Sequence, residues 1–219
     1  MNQDPKTYLQ KLRAFVPERG LEHYEATGIA ERQATRLLDI LDQREPPVDV
    51  GLIADLPRIE VRIVPNRELS GLSGLTNWVR ERGHWLIAIN RDDSQTRRRF
   101  TLGHEFKHIL DNPFINVLYP KTQSESYKVH ADDRAERMCD FFAACLLMPR
   151  PWVKNLWGQG VQDTDVLAAT FNVSPAAMDR RLQELGLTPS RQRWRASWSR
   201  QNRTYFRKAS LAAVAIATT

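Results

Sequence analysis

Residues 99–111 read RFTLGHEFKHILD. Within them His104, Glu105 and His108 stand in the pattern H-E-x-x-H. On a helix, positions four apart share one face and lie about one turn apart. His104 and His108 can therefore present two imidazoles to a single metal ion, and Glu105 falls beside them, where a carboxylate reaches a water on that metal. This is the arrangement in which zinc peptidases use the Glu as general base. The spacing predicts a helix from Arg97 to Asp111, with Phe100, Leu102, His104, His108, Ile109 and Leu110 available to an inner face and Pro113 as its stop. Two core histidines beside a coincidental Glu would spell the same letters, so the flanking chain must separate the readings.

Toward the N-terminus, Arg58 to Val64 alternates Ile59, Val61 and Ile63 as a strand does. After the turn residues Ser70 to Gly74, strands are expected near Leu75–Val79 and Trp85–Asn90, joined as a hairpin through Gly83. A sheet of about three strands thus precedes the metal-motif helix, and an open sheet edge holds an extended peptide by strand addition. Further upstream, residues 6–16 and 22–43 read as helices. The second repeats Ile29, Ala30, Ala34, Leu37, Leu38 and Leu41 at helical spacing and is expected to end at Pro46-Pro47. Val48 to Leu56 reads as a short helix.

Toward the C-terminus, the question is the third ligand. A hydrolytic zinc site takes three protein ligands and keeps a position for water, whereas a structural site closes with four. Ala131 to Met148 reads as a helix stopped by Pro149, with Glu136 and, four residues on, Asp140 on one face. Glu136 can bind the metal while Asp140 accepts the remaining N–H of a ligating His and fixes its tautomer. Glu136 also belongs to a charged run, Asp132, Asp133, Arg134, Glu136 and Arg137, which reads equally well as a solvated face. Spacing leaves both readings open.

Residues 99–111 resemble the active-site helix of the ImmA/IrrE family of metallopeptidases. Residues 136–149, ERMCDFFAACLLMP, resemble that family's second signature helix, which ends FAA-x-LLMP. The upstream SGLSGLTNW (70–78) and HWLIAINRDDS (84–94) are similar to the strands that precede its metal helix. The resemblance runs over roughly residues 50 to 187. It implies a mostly helical, zincin-like α+β fold, Zn2+ as cofactor, His104, His108 and Glu136 as its ligands, and Glu105 as catalytic base. Asp140 fits the family's usual Asn or Asp, but Cys139 stands where Ala is commoner. Three residues from Glu136, the Cys139 thiolate could approach the zinc and take the water's place as a self-inhibiting group; a small buried filler is the plainer reading. In such a mechanism Glu105 takes a proton from water and passes it to the leaving amine. A donor must also stabilise the oxyanion. Tyr119, Tyr127 and His130, between the two signature helices, are candidates, though each reads more simply as a loop or packing residue.

Beyond Pro151 a helix carries Trp152, Val153, Leu156 and Trp157. Thr164 to Leu187 then reads as helix, turn, helix, with Ser174 as N-cap and Arg180 and Arg181 on the second helix. Alone this would suggest a DNA reader, but the resemblance implies that these helices belong to the peptidase body. The formal charge of +6 is uneven: residues 188–219 hold seven basic side chains and no acidic one, which leaves the first 187 residues at −1. This tail interleaves Arg193, Arg195, Arg200 and Arg203 with Trp194 and Trp198, a composition suited to single-stranded nucleic acid or to a basic extension packed on the domain. Four segments are expected: helices in 1–47, a zincin-like core in 48–160, helix-turn-helix-like helices packed on it in 161–187, and the basic aromatic extension 188–219.

From the polar N-terminus no signal peptide is expected, and no apolar stretch is long enough for a membrane span. Cys139 and Cys145, six apart, point in different directions on a helix, so a cytoplasmic protein without a disulfide is expected. The family resemblance implies a site-specific endopeptidase that cleaves a helix-turn-helix repressor and so switches on a stress or defence operon. One branch accompanies bacterial anti-phage operons and responds to single-stranded DNA, for which the tail is suited. The competing class is a DNA-binding regulator or toxin–antitoxin component with a structural or inactive zinc site.

Overall fold

In a computed structural model, the described residues are 6–19, 21, 23–119 and 126–188, with side chains described for 8–19, 21, 24–119 and 134–188. In chain order the elements are α1 (Lys6–Arg13), α2 (His23–Ile40), β1 (Ile59–Val64), α3 (Asn66–Leu69), β2 (Gly74–Val79), β3 (His84–Asn90), α4 (Gln95–Asp111), α5 (Ile115–Leu118), α6 (Ser126–Leu147), α7 (Arg150–Gly158), α8 (Thr164–Phe171) and α9 (Pro175–Glu184). The mostly helical α+β class expected from the sequence is found. Val48 to Leu56, expected as a helix, forms a 3-10 turn over Val50–Asp55 capped by the Asp49 side chain.

Of the boundaries that differ from expectation, two have plain local reasons. Helix α2 ends before Pro46-Pro47 because Asp42 turns left-handed (φ 51°) and the Gln43 N–H donates back to the Leu38 carbonyl. That wrap satisfies the last carbonyls without a proline. Helix α4 starts two residues earlier than expected, at Gln95, because the Ser94 side chain accepts from the Arg97 N–H. Such a cap occupies one of the four amide groups that a helix start leaves unpaired.

The sheet order is β1-β3-β2, with β1 parallel and β2 antiparallel to the central β3. Gly83 (φ 62°) closes the β2–β3 hairpin by donating to the Val79 carbonyl. Trp78 and Trp85 face each other in register and stack edge to face at 5.2 Å. Edge strand β2 lies against α4, which packs in turn on α6 and α1.

Among the described residues, the larger of two apolar clusters joins the N-terminal helices, the sheet and the C-terminal helices. It includes Leu12 and Leu37 from the N-terminal helices, Ile87 from β3, Phe106 and Ile109 from α4, Phe142 and Leu146 from α6, and Phe171, Met178 and Leu182 from α8 and α9. Burying each such side chain stabilises by about 1.5–3 kcal/mol. The helix-turn-helix-like pair is therefore built into the body. Arg99 of α4 donates to the carbonyls of Val48 and Asn172, tying both flanking segments to the central helix. On α9, Arg181 is buried with its Nε on the Met148 carbonyl, and Arg180 pairs with Glu184. Among the described residues no helix is long and apolar enough to cross a membrane. The extension that carries Arg193, Trp194, Arg195, Trp198, Arg200 and Arg203 lies outside the described residues.

Candidate metal centre

Helix α4 offers His104 and His108 from adjacent turns, and α6 runs alongside and offers Glu136. The three side chains meet. His104 Nε2 lies 3.1 Å from Glu136 Oε2, His108 Nε2 lies 3.0 Å from Glu136 Oε1, and the two Nε2 atoms are 3.1 Å apart. Bonds of about 2.0–2.1 Å to zinc in a tetrahedral site place neighbouring donors roughly 3.3–3.4 Å apart. The observed spacing is close to that edge, and two imidazoles with a carboxylate are a donor set zinc accepts, so the residues fit the group.

The electrostatics favour a cation at the same point. Burial pushes His104 down, but hydrogen bonds to Asp140 and Glu136, and their charges, carry it well above the ordinary imidazole value. Burial pushes Glu136 up, yet the bonds and charges of His104 and His108 overcome this and hold its carboxyl below the usual carboxylate range. Positive charge is stabilised here by two carboxylates, whether a proton on His104 or a divalent ion supplies it. His104 Nδ1 lies 2.9 Å from Asp140 Oδ1. Cys139 Sγ lies 3.6 Å from His108 Nδ1, and one ligand atom each of His104, His108 and Cys139 fall within 4.8 Å of one another. Burial and the charges of Asp111 and Glu136 push the Cys139 thiol well up. Both cysteines are free and buried.

Glu105 is seated by β2, a contact with no signature in the sequence. The Thr76 hydroxyl donates to Glu105 Oε2 at 2.8 Å and also lies 3.2 Å from the Glu105 carbonyl. Two residues earlier on the same face, a Cβ on Gly74 would meet Thr101 Cγ2 at 2.5 Å and Glu105 Oε1 at 3.0 Å. The missing side chain at Gly74 makes room for the Glu105 carboxylate. Neither residue belongs to a metal-binding pattern, so only the packing of β2 on α4 identifies them.

The lysine inside the motif is 1 % exposed. Its Nζ donates to Asp111 Oδ1 and, at 2.8 Å, to Gln33 Oε1 on α2. Tyr119 donates to the other Asp111 oxygen at 2.8 Å. Tyr119 is thus committed to Asp111 and not to an oxyanion; burial, with the Asp111 charge, pushes its hydroxyl pKa far up. Tyr127 and His130, expected in a loop, fall within α6, which begins at Ser126; their side chains lie outside those described.

A family model described as Peptidase_M78, the IrrE N-terminal-like domain, matches residues 61–183, more than half of the 219. The chain belongs to this family. Membership supports a metallopeptidase and agrees with the resemblance seen in the two signature helices. Among solved structures, the chain is similar to a Mycobacterium tuberculosis transcriptional regulator, with a TM-score of 0.58 at 16% identity, over 87% of this chain and 54% of that one. At that identity the likeness concerns the fold, and the chain spans about half the length of that regulator. A comparison with curated proteins finds no match.

Proposed function

We propose that this chain is a cytoplasmic, zinc-dependent, site-specific endopeptidase that cleaves a helix-turn-helix transcriptional repressor. The observation that carries the reading is the convergence of His104, His108 and Glu136 with Glu105 on the adjacent position of the same helix. A purely structural zinc site closes with four protein ligands, whereas a hydrolytic one takes three and keeps a position for water, on which a neighbouring carboxylate can act. The His108 side chain is 32% exposed, so solvent reaches the cluster from its side.

His104, His108 and Glu136 would hold the metal, with Asp140 fixing His104 so that Nε2 is turned inward. Bound zinc supplies Lewis-acid activation of water and of the scissile carbonyl. Glu105 accepts the proton of the attacking water and delivers it to the leaving amine. Thr76 holds the Glu105 carboxylate in place for both transfers. The substrate lies extended along edge strand β2, which runs beside Glu105.

A repressor substrate is supported by the resemblance of the two signature helices to the family whose members cleave such repressors. Single-stranded DNA is the proposed activator, taken up by the basic aromatic extension, with cations on phosphates and rings on bases. The test compares wild type and Glu105→Gln in the source cells, with and without DNA damage, by mapping new protein N-termini and measuring zinc in both purified proteins. Cleavage inside a helix-turn-helix repressor that the variant loses while keeping zinc supports the proposal. Repressors left intact by the wild type under every condition overturn it.

A further inference from the structure

Each histidine of the cluster has a second ring nitrogen, and α6 supplies a partner for both. Asp140 Oδ1 stands 2.9 Å from His104 Nδ1, and Cys139 Sγ stands 3.6 Å from His108 Nδ1. Glu136, Cys139 and Asp140 occupy positions i, i+3 and i+4 of α6, which neighbour one another on a helix surface. One face of α6 therefore delivers the carboxylate between the two Nε2 atoms and a backing group behind each ring. Cys139 is 1% exposed, and its sulfur meets the His108 ring at the nitrogen that does not face Glu136.

We infer that Cys139 is a positioning residue for His108: its sulfur accepts the Nδ1–H and so turns the Nε2 lone pair toward His104 and Glu136. The inference rests on the reading of this cluster as a metal centre. Partners behind metal-bound histidines are ordinarily carboxylates, backbone carbonyls or waters, and losing one costs about 10–100-fold in metal affinity. A thiol is a weaker, neutral acceptor. The two imidazoles are consequently unequal, His104 backed by an anion and His108 by an uncharged sulfur that orients without adding negative charge. This role differs from that of an inhibitory ligand, in which sulfur itself would bond the metal.

The test loads the full-length wild type, Cys139→Ala and Cys139→Ser with cobalt(II), measuring affinity by competition and the absorption spectrum of each. The wild type is expected to show cobalt d–d bands without a sulfur-to-cobalt charge-transfer band. Cys139→Ala should bind about 10–100-fold more weakly with altered d–d bands, and Cys139→Ser, which restores an acceptor, should recover most of that loss. Unchanged affinity in Cys139→Ala overturns the inference, as does a serine variant no better than alanine. A charge-transfer band in the wild type overturns it in favour of a sulfur ligand. If Cys139→Ala does not fold, proton–nitrogen correlation spectra of the zinc-loaded wild type decide: His108 protonated on Nδ1 supports the inference, and protonated on Nε2 overturns it. A wild type that takes up no cobalt removes the metal-centre reading and this inference together, whereas a changed spectrum or affinity confined to the Cys139 variants tests the inference alone.

Discussion

Helix α4 carries two buried polar clusters less than one turn apart, and they are resolved in opposite ways. Around Lys107, one ammonium meets one carboxylate, Asp111, and the remaining lone pairs and protons go to Gln33 and Tyr119. Charge balances within the protein, so the cluster closes on itself and serves the fold. Around His104 and His108, the carboxylates Glu136 and Asp140 converge on two imidazoles. Those two negative charges are offset in part by a proton on His104 and in full by a divalent metal ion. Burial of polar groups therefore does not mark function. An uncompensated sign of charge in a site that solvent still reaches does.

Substitutions at each cluster can break or sharpen that contrast. The largest effect is expected at Glu105: Glu105→Gln should lower peptidase turnover by about 10²–10⁴-fold, as loss of a general base does, with metal content unchanged by elemental analysis. A parallel loss of metal would place Glu105 among the ligands and erase its separate role. Next, Lys107→Met leaves Asp111 charged and buried, which costs about 3–5 kcal/mol of folding stability. Denaturant unfolding should show this, while the fraction that stays folded binds metal as before. Failure of metal binding in the folded fraction would mean that the two clusters are one.

Asp140→Ala should weaken zinc about 10–100-fold by freeing the His104 ring, measured by competition with a chromophoric chelator. Acid should do the same by another route. Because His104 lies well above its ordinary value, the metal displaces a proton at neutral pH, and affinity rises with pH until the folded value is passed. Below it, each pH unit weakens binding by about tenfold, so a flat profile between pH 6 and 7 would contradict the charge argument. An effect of similar size belongs to Thr76→Val, which removes a hydrogen bond to a carboxylate worth about 1.5–3 kcal/mol. Turnover should fall about 10–100-fold with KM and metal content near wild type, and Thr76→Ser should restore it.

Much of this was legible in the chain. The H-E-x-x-H spacing placed three side chains by helix geometry alone, since a period of 3.6 residues admits only one face for positions 104 and 108. The alternation in β1 and the glycine at 83 foretold a strand and a hairpin, because strand faces and left-handed turns have residue signatures. Glu136 was different: its local sequence fits a solvated charged run as well as a ligand, and only the packing of α6 on α4 brings it to His104 and His108. Lys107 carries no local signal of its burial: α2 and the segment after α5 close over it with Gln33 and Tyr119.

The sequence by itself determined the class of chemistry and the helices that carry it, because ligand type and helical spacing are properties of neighbouring residues. Spacing left Glu136 open and the family resemblance pointed to it; tertiary structure alone decided that Thr76 and Gly74 seat the base, that Cys139 stands behind His108, and that Arg181 is spent on the Met148 carbonyl inside the body. Each of these joins elements far apart in the chain, and no local periodicity encodes which surfaces two distant elements will press together.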